Sequence, residues 1–238
     1  MSAFDLEPLG EDALLLRLGD HIDPAVNRRV HALAARIAAA SPPWLRELVP
    51  AYASLAVFVD LDLPCPPGID PITVAMDGLR ALVPTPDTAV PVAADDDAPF
   101  DIPVCHAPDF APDLDALAAH AGLSREETIA RHCAGDYRVA MVGFAPGFPY
   151  LLGLDPALAM PRLATPRTRV PAGSVAIGGA QAGLYPREGP GGWRLLGRTP
   201  LAVFDPVRVP PALLVPGRRV RFRAIDAATF ARLARAPA

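Results

Sequence analysis

The period of the apolar positions changes along the chain, and the changes mark its elements. "AFDLEPLG" and "ALLLRLG" read as two strands meeting around Gly10, Glu11 and Asp12. In "DPAVNRRVHALAARIAAA" the period lengthens to that of a helix. Val26, Val30, Leu33 and Ile37 share one face, with Asp23 as N-cap and Pro24 at the first helical position. "LRELVPAY" and "SLAVFVDL" return to strand, and "PITVAMDGLRALV" to helix. The order β-β-α-β-β-α, with helices on one face of the strands, predicts a small α+β sandwich.

The pattern then breaks. Residues 84–99, "PTPDTAVPVAADDDAP", hold four prolines and an Asp triplet but few bulky apolar side chains, the composition of a linker. The Asp run reads as a solvated loop. Beyond it come a strand, "FDIPVCH", and two short helices. The first ends at Gly122, and the second opens on a capping box from Ser124 to Glu127. From Asp136 onward short apolar strands alternate with Gly and Pro turns, which predicts a barrel or sandwich, and "DAATFARLARAP" closes the chain as a helix. The expected organisation is an α+β domain over 1–84, a linker over 85–99 and a β domain over 100–238.

Composition narrows the chemistry. There are 30 prolines in 238 residues, where average usage of about 5% would place roughly 12. So many fixed φ angles suit a loop-rich β architecture. All 22 basic residues are arginine. Without lysine there is no Walker-type phosphate loop, no Schiff base for pyridoxal and no attachment point for biotin. A net charge of −4 argues against nucleic acid and anionic membrane as partners. No apolar run reaches membrane-spanning length, and the acidic N-terminal stretch is unlike an export signal. Cys65, Cys105 and Cys133 fit reduced thiols, which points to a cytoplasmic protein.

Four segments concentrate glycine, proline, aromatic residues and arginine: "GFAPGFPYL" from Gly143, "PRLATPRTRVPAGSVAIGG" from Pro161, "QAGLYP" from Gln181 and "GPGGWRLLGRTP" from Gly189. Proline fixes loop shape before binding, aromatics supply apolar walls, and arginine supplies forked donors for a carboxylate or phosphate. Together they describe a pre-formed pocket for a small anion. The same composition also builds tight barrel corners without a ligand, and Arg162, Arg167, Arg169, Arg194 and Arg198 could equally pair with Asp155, Glu188 and Asp205. Ser174 lies in "AGSVA", which is not a nucleophile elbow, and Gly178, Gly179 and Gly183 do not form a dinucleotide turn. The five histidines show no metal-ligand spacing. His106, just after a strand, and Glu188 are the titratable groups best placed to reach a site.

"YRVAMVGFAPGFPYLLGLD", "PRLATPRTRVPAGSVAIGG", "QAGLYP" and "GGWRLLGRTPLAVFDP" resemble the family that contains the B subunit of 5-oxoprolinase, the KipI sensor-kinase inhibitor and the first half of the carboxyltransferase unit of urea carboxylase. The resemblance covers nearly the whole chain, with "LVPAYASLAVFVD" and "GLSREETIARH". It implies that the C-terminal β domain is a cyclophilin-like barrel. It also implies a chain that works with a second cyclophilin-like subunit (the C subunit) and a barrel subunit (the A subunit), the three together hydrolysing 5-oxoproline to glutamate at the expense of ATP. No cofactor is expected on this chain alone. The pocket carried over from the resemblance is Gly143, Phe144, Pro146, Gly147, Phe148, Arg167, Pro171, Gly173, Ser174, Gln181, Tyr185 and Arg198. Arg167 and Arg198 would hold a carboxylate or a phosphorylated intermediate, and Glu188 and His106 would transfer protons. Ala182 and Gly189 depart from the threonine and serine common in the family, which removes two hydroxyls from the expected pocket rim, and "VAIGGAQ" stands for the commoner "VAIAGGQ". The same family leaves two other functions open: docking on a histidine kinase to block its autophosphorylation, and half of a biotin-dependent carboxyltransferase.

Overall fold

The computed structural model describes residues 4–83 and 98–235, which fall into two compact units on either side of that interval. The expected linker lies, apart from its last two residues, outside the described residues.

The first unit has the expected order: β1 (Asp5–Leu9), β2 (Ala13–Arg17), α1 (Pro24–Ala40), β3 (Leu45–Pro50), β4 (Ser54–Val59) and α2 (Pro71–Leu82). The strands form one antiparallel sheet in the order β1-β2-β4-β3. Burial alternates along β4, where Leu55, Val57 and Val59 face the core and the intervening residues do not. Val30, Leu33 and Ile37 of α1 and Ala75 and Leu79 of α2 pack into the same core. Each helix starts as its sequence predicts. Pro24 and Pro71 stand at the first turns, and the Asp23 and Asp70 carboxylates accept from the amides of Ala25, Val26 and Thr73.

One α1 position differs from expectation. Asn27 is fully buried, whereas Val26 is only half-buried. The reason is a backbone requirement: the Asn27 amide donates to the carbonyls of Ala51 (3.0 Å) and Tyr52 (3.2 Å), which the β3–β4 turn leaves facing the helix. A hydrophobic side chain there would strand both oxygens. Asn27→Ala is expected to lower stability by about 1–3 kcal/mol in urea unfolding, with no loss at the solvent-facing control Arg28→Ala.

The second unit is a closed barrel. Its strands run β10-β7-β6-β13-β5-β12-β9, with β10 pairing β9 to close the ring. They are β5 (Phe100–Cys105), β6 (Tyr137–Val142), β7 (Pro149–Leu152), β9 (Ser174–Gly178), β10 (Gln181–Leu184), β12 (Arg194–Arg198) and β13 (Arg219–Ile225). Only β5 and β13 pair in parallel; the other pairs are antiparallel. Closure removes the exposed edges that short, proline-flanked strands would otherwise present. Outside the ring β8 (Arg167–Val170) and β11 (Gly189–Gly191) form a separate two-stranded ribbon. Helices α3 (Leu114–Ala121) and α4 (Arg125–Ala134) pack against the barrel, and Leu114 and Leu117 join its core with Ile102, Val104, Val139 and Phe222. The expected capping box is present: the Ser124 hydroxyl accepts from the Glu127 amide at 3.1 Å, and Glu127 accepts from the Ser124 amide at 2.8 Å. The chain ends in α5 (Ala227–Ala234), whose Phe230 ring lies 4.5 Å from that of Phe110. Among the described residues no helix is long and apolar enough to cross a membrane.

Candidate functional site

The loop from β6 to β7 is "GFAPGF", and its backbone folds on itself. The Gly143 amide donates to the Phe148 carbonyl (3.1 Å) and the Phe148 amide to the Ala145 carbonyl (2.9 Å). Gly147 has φ +77, and any Cβ there would sit 2.8 Å from the Phe204 side chain, so both the angle and the space require glycine. Phe144 also takes a left-handed conformation, φ +66, although it carries a side chain. Such backbone strain in a non-glycine residue is held only where the surroundings enforce it, and it concentrates at binding loops. The result is two rings placed differently: Phe148 is 2% exposed, and Phe144 is 67% exposed.

Phe148 is the centre of an aromatic cluster. Its ring meets Phe144 (5.4 Å), Tyr150 (4.9 Å), Tyr185 (5.3 Å) and Trp193 (5.5 Å), mostly edge to face. Trp193 fits because Gly178 on the barrel wall lacks a Cβ, which would otherwise stand 2.5 Å from the indole. The Arg162 guanidinium lies over the Trp193 ring, 5.5 Å from its centroid. The stretch carrying Arg162 is tied down on both sides: Arg194 Nε donates to the Pro161 carbonyl (3.1 Å), and the Leu163 amide to the Gly192 carbonyl (2.7 Å).

These groups form an open cavity of about 290 Å³, lined by Phe144, Phe148, Tyr150, Arg162, Leu163, Pro166, Tyr185, Pro190, Gly191, Gly192 and Trp193. All four segments singled out in the sequence contribute to it. Among the described lining residues Arg162 is the one charged side chain and no carboxylate is present. Burial raises the Tyr185 phenol above its ordinary pKa, opposed by the Trp193 amide that donates to its oxygen. Tyr185 therefore stays a neutral hydroxyl in an apolar wall. The arrangement suits a small, flat molecule with one negative group.

Of the twelve pocket residues expected from the sequence, Phe144, Phe148 and Tyr185 line the cavity, and the other nine do not. Gly143 and Gly147 shape the loop behind the rings, and Pro146 is exposed on it. Ser174 donates its hydroxyl to the Pro171 carbonyl at 2.7 Å. The Gly173 amide donates to the Tyr185 carbonyl at 2.7 Å, and Arg198 Nε to the Ala172 carbonyl at 2.7 Å. Pro171, Gly173, Ser174 and Arg198 thus brace a turn, and Gln181 begins β10 at its far end. Ala182, expected at the rim, is fully buried in the barrel core, so a hydroxyl at that position would face the core and not the cavity. Gly189 lies on the ribbon beside the lining Pro190.

The titratable candidates sit elsewhere. Glu188 is exposed and pairs with Arg169 at 2.8 Å, as the charge pattern allowed. Asp155 pairs with Arg131 instead of with one of the five arginines. His106 is buried, with Nδ1 2.7 Å from the Leu196 carbonyl, and is not among the cavity residues. Arg167 is committed to Asp113, its Nη2 donating to Oδ1 at 2.7 Å. The other Asp113 oxygen accepts from the Leu195 amide at 2.7 Å.

Eight of the eleven lining residues were not among the expected pocket residues, and neither was Asp113. Trp193 and Tyr150 carried a signal, being aromatics flanked by the glycines and prolines of the chosen segments. Arg162 was one of five arginines that composition could not separate. Asp113, in an ordinary helix start, carried none.

Residues 4–214 match the family model described as carboxyltransferase domain, subdomain C and D. The chain belongs to this family. It is 41% identical to the B subunit of 5-oxoprolinase from Bacillus subtilis over 227 residues, which cover 92% of each chain. It is 39% identical to the crystal structure of TTHA0988, with a TM-score of 0.76, and the match covers 90% of this chain but spans only 40% of that longer one. The Kluyveromyces lactis urea carboxylase aligns with 96% of this chain and 22% of its own at 19% identity and a TM-score of 0.70. That last likeness speaks for the fold alone.

A family member built this way should depend on the ion pair of its buried Asp113 carboxylate with half-buried Arg167 far more than on its exposed one. Asp113→Ala leaves the Arg167 cation and the Leu195 amide unmatched and is expected to cost about 3–5 kcal/mol. Glu188→Ala removes an exposed pair and is expected to stay within about 0.5 kcal/mol. Chemical denaturation of the two variants checks the contrast.

Proposed function

We propose that this chain is the B subunit of an ATP-dependent 5-oxoprolinase, converting 5-oxoproline to glutamate only when assembled with its partner subunits. The observation that carries the reading is its 41% identity to the B. subtilis 5-oxoprolinase B subunit, over 92% of both chains. The cavity supports it independently. 5-Oxoproline has one carboxylate, one lactam amide and a small apolar ring. The cavity offers one guanidinium, one neutral phenol and aromatic walls, in a volume at the low end of the roughly 300–1,000 Å³ of small-molecule sites.

In this reading Arg162 takes the carboxylate, in place of Arg167 and Arg198, which bind Asp113 and the Ala172 carbonyl and do not line the cavity. Phe148 and Trp193 pack against the ring, and the Tyr185 hydroxyl donates to an oxygen of the lactam. The amide is a poor electrophile, and activation of its oxygen by phosphoryl transfer would place negative charge beside Arg162. With neither lysine nor a phosphate loop, the ATP site is assigned to a partner subunit. Glu188 and His106 are not needed for this binding step.

The family's carboxyltransferase description favours a second reading: half of a carboxyl-transfer unit acting on an amide. The biotin would then arrive on another chain, since this one has no lysine to carry it.

Both are decided by 5-oxoproline-dependent ATP hydrolysis, measured on this chain alone and on its mixture with the second cyclophilin-like subunit and the barrel subunit from the same source. Activity is expected only in the full mixture. Its absence from a mixture that demonstrably assembles would favour carboxyl transfer. Within the active mixture, Arg162→Ala is expected to raise KM for 5-oxoproline about 10- to 100-fold, the value of one charged hydrogen bond. The exposed Arg169→Ala should leave it unchanged. An unaltered KM in Arg162→Ala would remove Arg162 from the binding role.

A further inference from the structure

The barrel unit gathers a second set of groups that the proposed function does not use. His106 follows β5, and His132 and Cys133 are neighbours on α4. Each offers one ligand atom, and the three atoms all lie within 4.8 Å of one another. The distance in sequence between His106 and the other two hides any ligand spacing; the packing of α4 against the barrel creates it.

The hydrogen bonds around the set are incomplete in a specific way. A carbonyl oxygen only accepts, so the 2.7 Å contact with Leu196 puts the His106 proton on Nδ1 and leaves Nε2 as a lone pair. That Nε2 is buried without a hydrogen-bond partner, and so are both ring nitrogens of His132. His132 is 1% exposed and stacks on Phe222, with centroids 4.5 Å apart and planes 19° from parallel. Buried polar atoms normally have partners, and an orphaned nitrogen on each of two neighbouring rings calls for a common one, which takes His106 Nε2 and one of the two His132 nitrogens. Burial lowers the His132 pKa to about 3 and also holds His106 below its usual value, so both rings stay in the neutral form that ligates metals.

We propose that His106, His132 and Cys133 form a zinc-type cation site that fastens α4 to the barrel at β5. Two imidazole nitrogens and a thiolate are a borderline-soft donor set, suited to Zn²⁺ and not to Ca²⁺ or Mg²⁺. Binding releases the Cys133 thiol proton to solvent. Burial alone raises the thiol pKa, and the bound dication reverses that preference. Water, entering beside half-buried Cys133, supplies the fourth ligand. The His106–Leu196 contact is the outer hydrogen bond that orients a ligating imidazole. Two guanidiniums act on the cluster, those of Arg125 and Arg223. Each is matched by a carboxylate, Asp115 and Asp101 respectively, which reduces their repulsion of a cation.

The test uses the full chain without an affinity tag. After removal of metal with a chelator, titration with Co²⁺ is expected to give one equivalent of binding and a thiolate-to-cobalt charge-transfer band, which Zn²⁺ then abolishes. Cys133→Ser is expected to lose the band and to weaken Zn²⁺ binding on the order of 10-fold or more, while Cys65→Ser keeps both. His106→Gln is the second variant and should weaken Zn²⁺ binding while the protein stays folded by circular dichroism. Folded wild-type protein that shows no band would overturn the proposal, because the nitrogens would then be satisfied by water or by nothing. A band that survives Cys133→Ser would equally overturn it, by placing the cation elsewhere.

Discussion

A buried carboxylate cannot be left without partners, and the candidate site is organised around the partners of one, Asp113. Its side chain caps no helix, although it stands at the N-terminus of α3. One oxygen holds Arg167 at the start of the outer ribbon, and the other holds the backbone of β12 at Leu195. The Asp113 amide returns a bond to the Leu195 carbonyl at 3.2 Å. The ribbon leads through Pro190 and Gly191 to Trp193, two residues before Leu195, so the same carboxylate fixes both ends of the wall on which Trp193 stands. With that wall in place Phe148 has something to pack against, and the strained "GFAPGF" loop has a reason to keep its shape.

Local patterns carried much of the architecture. Asp23 with Pro24, Asp70 with Pro71 and Ser124 with Glu127 mark helix starts through contacts only a few residues long, and all three helices begin where those residues stand. The alternation along β4 likewise records which face is buried. Closure of the barrel was less legible, because pairing β5 with β13 in parallel joins residues more than a hundred positions apart. Asn27 shows the limit on a smaller scale: its polar side chain is buried for the sake of two carbonyls in a different element.

The candidate site was legible as segments and not as individual residues. Every cavity wall comes from one of the four Gly-, Pro- and aromatic-rich stretches, because rigid turns and rings are chemically conspicuous. Arginine roles were not conspicuous. Arg162, Arg167, Arg169, Arg194 and Arg198 look alike in sequence, yet one lies over Trp193, two bind carboxylates and two bind carbonyls. Only the partner tells them apart, and each partner is remote in sequence. His106, His132 and Cys133 went unnoticed as a set for the same reason.

The chemical character of the cavity follows from these placements. Its walls are aromatic and apolar, the exposed Arg162 supplies the single guanidinium within reach, and the lining brings no carboxylate to compete for it. The most direct measurement of this cavity's role is a crystal structure of the assembled subunits with bound 5-oxoproline. The ligand is expected between Phe148, Tyr185 and Trp193, with its carboxylate on Arg162. A ligand bound elsewhere in an active assembly, with this cavity free of it, would contradict that role.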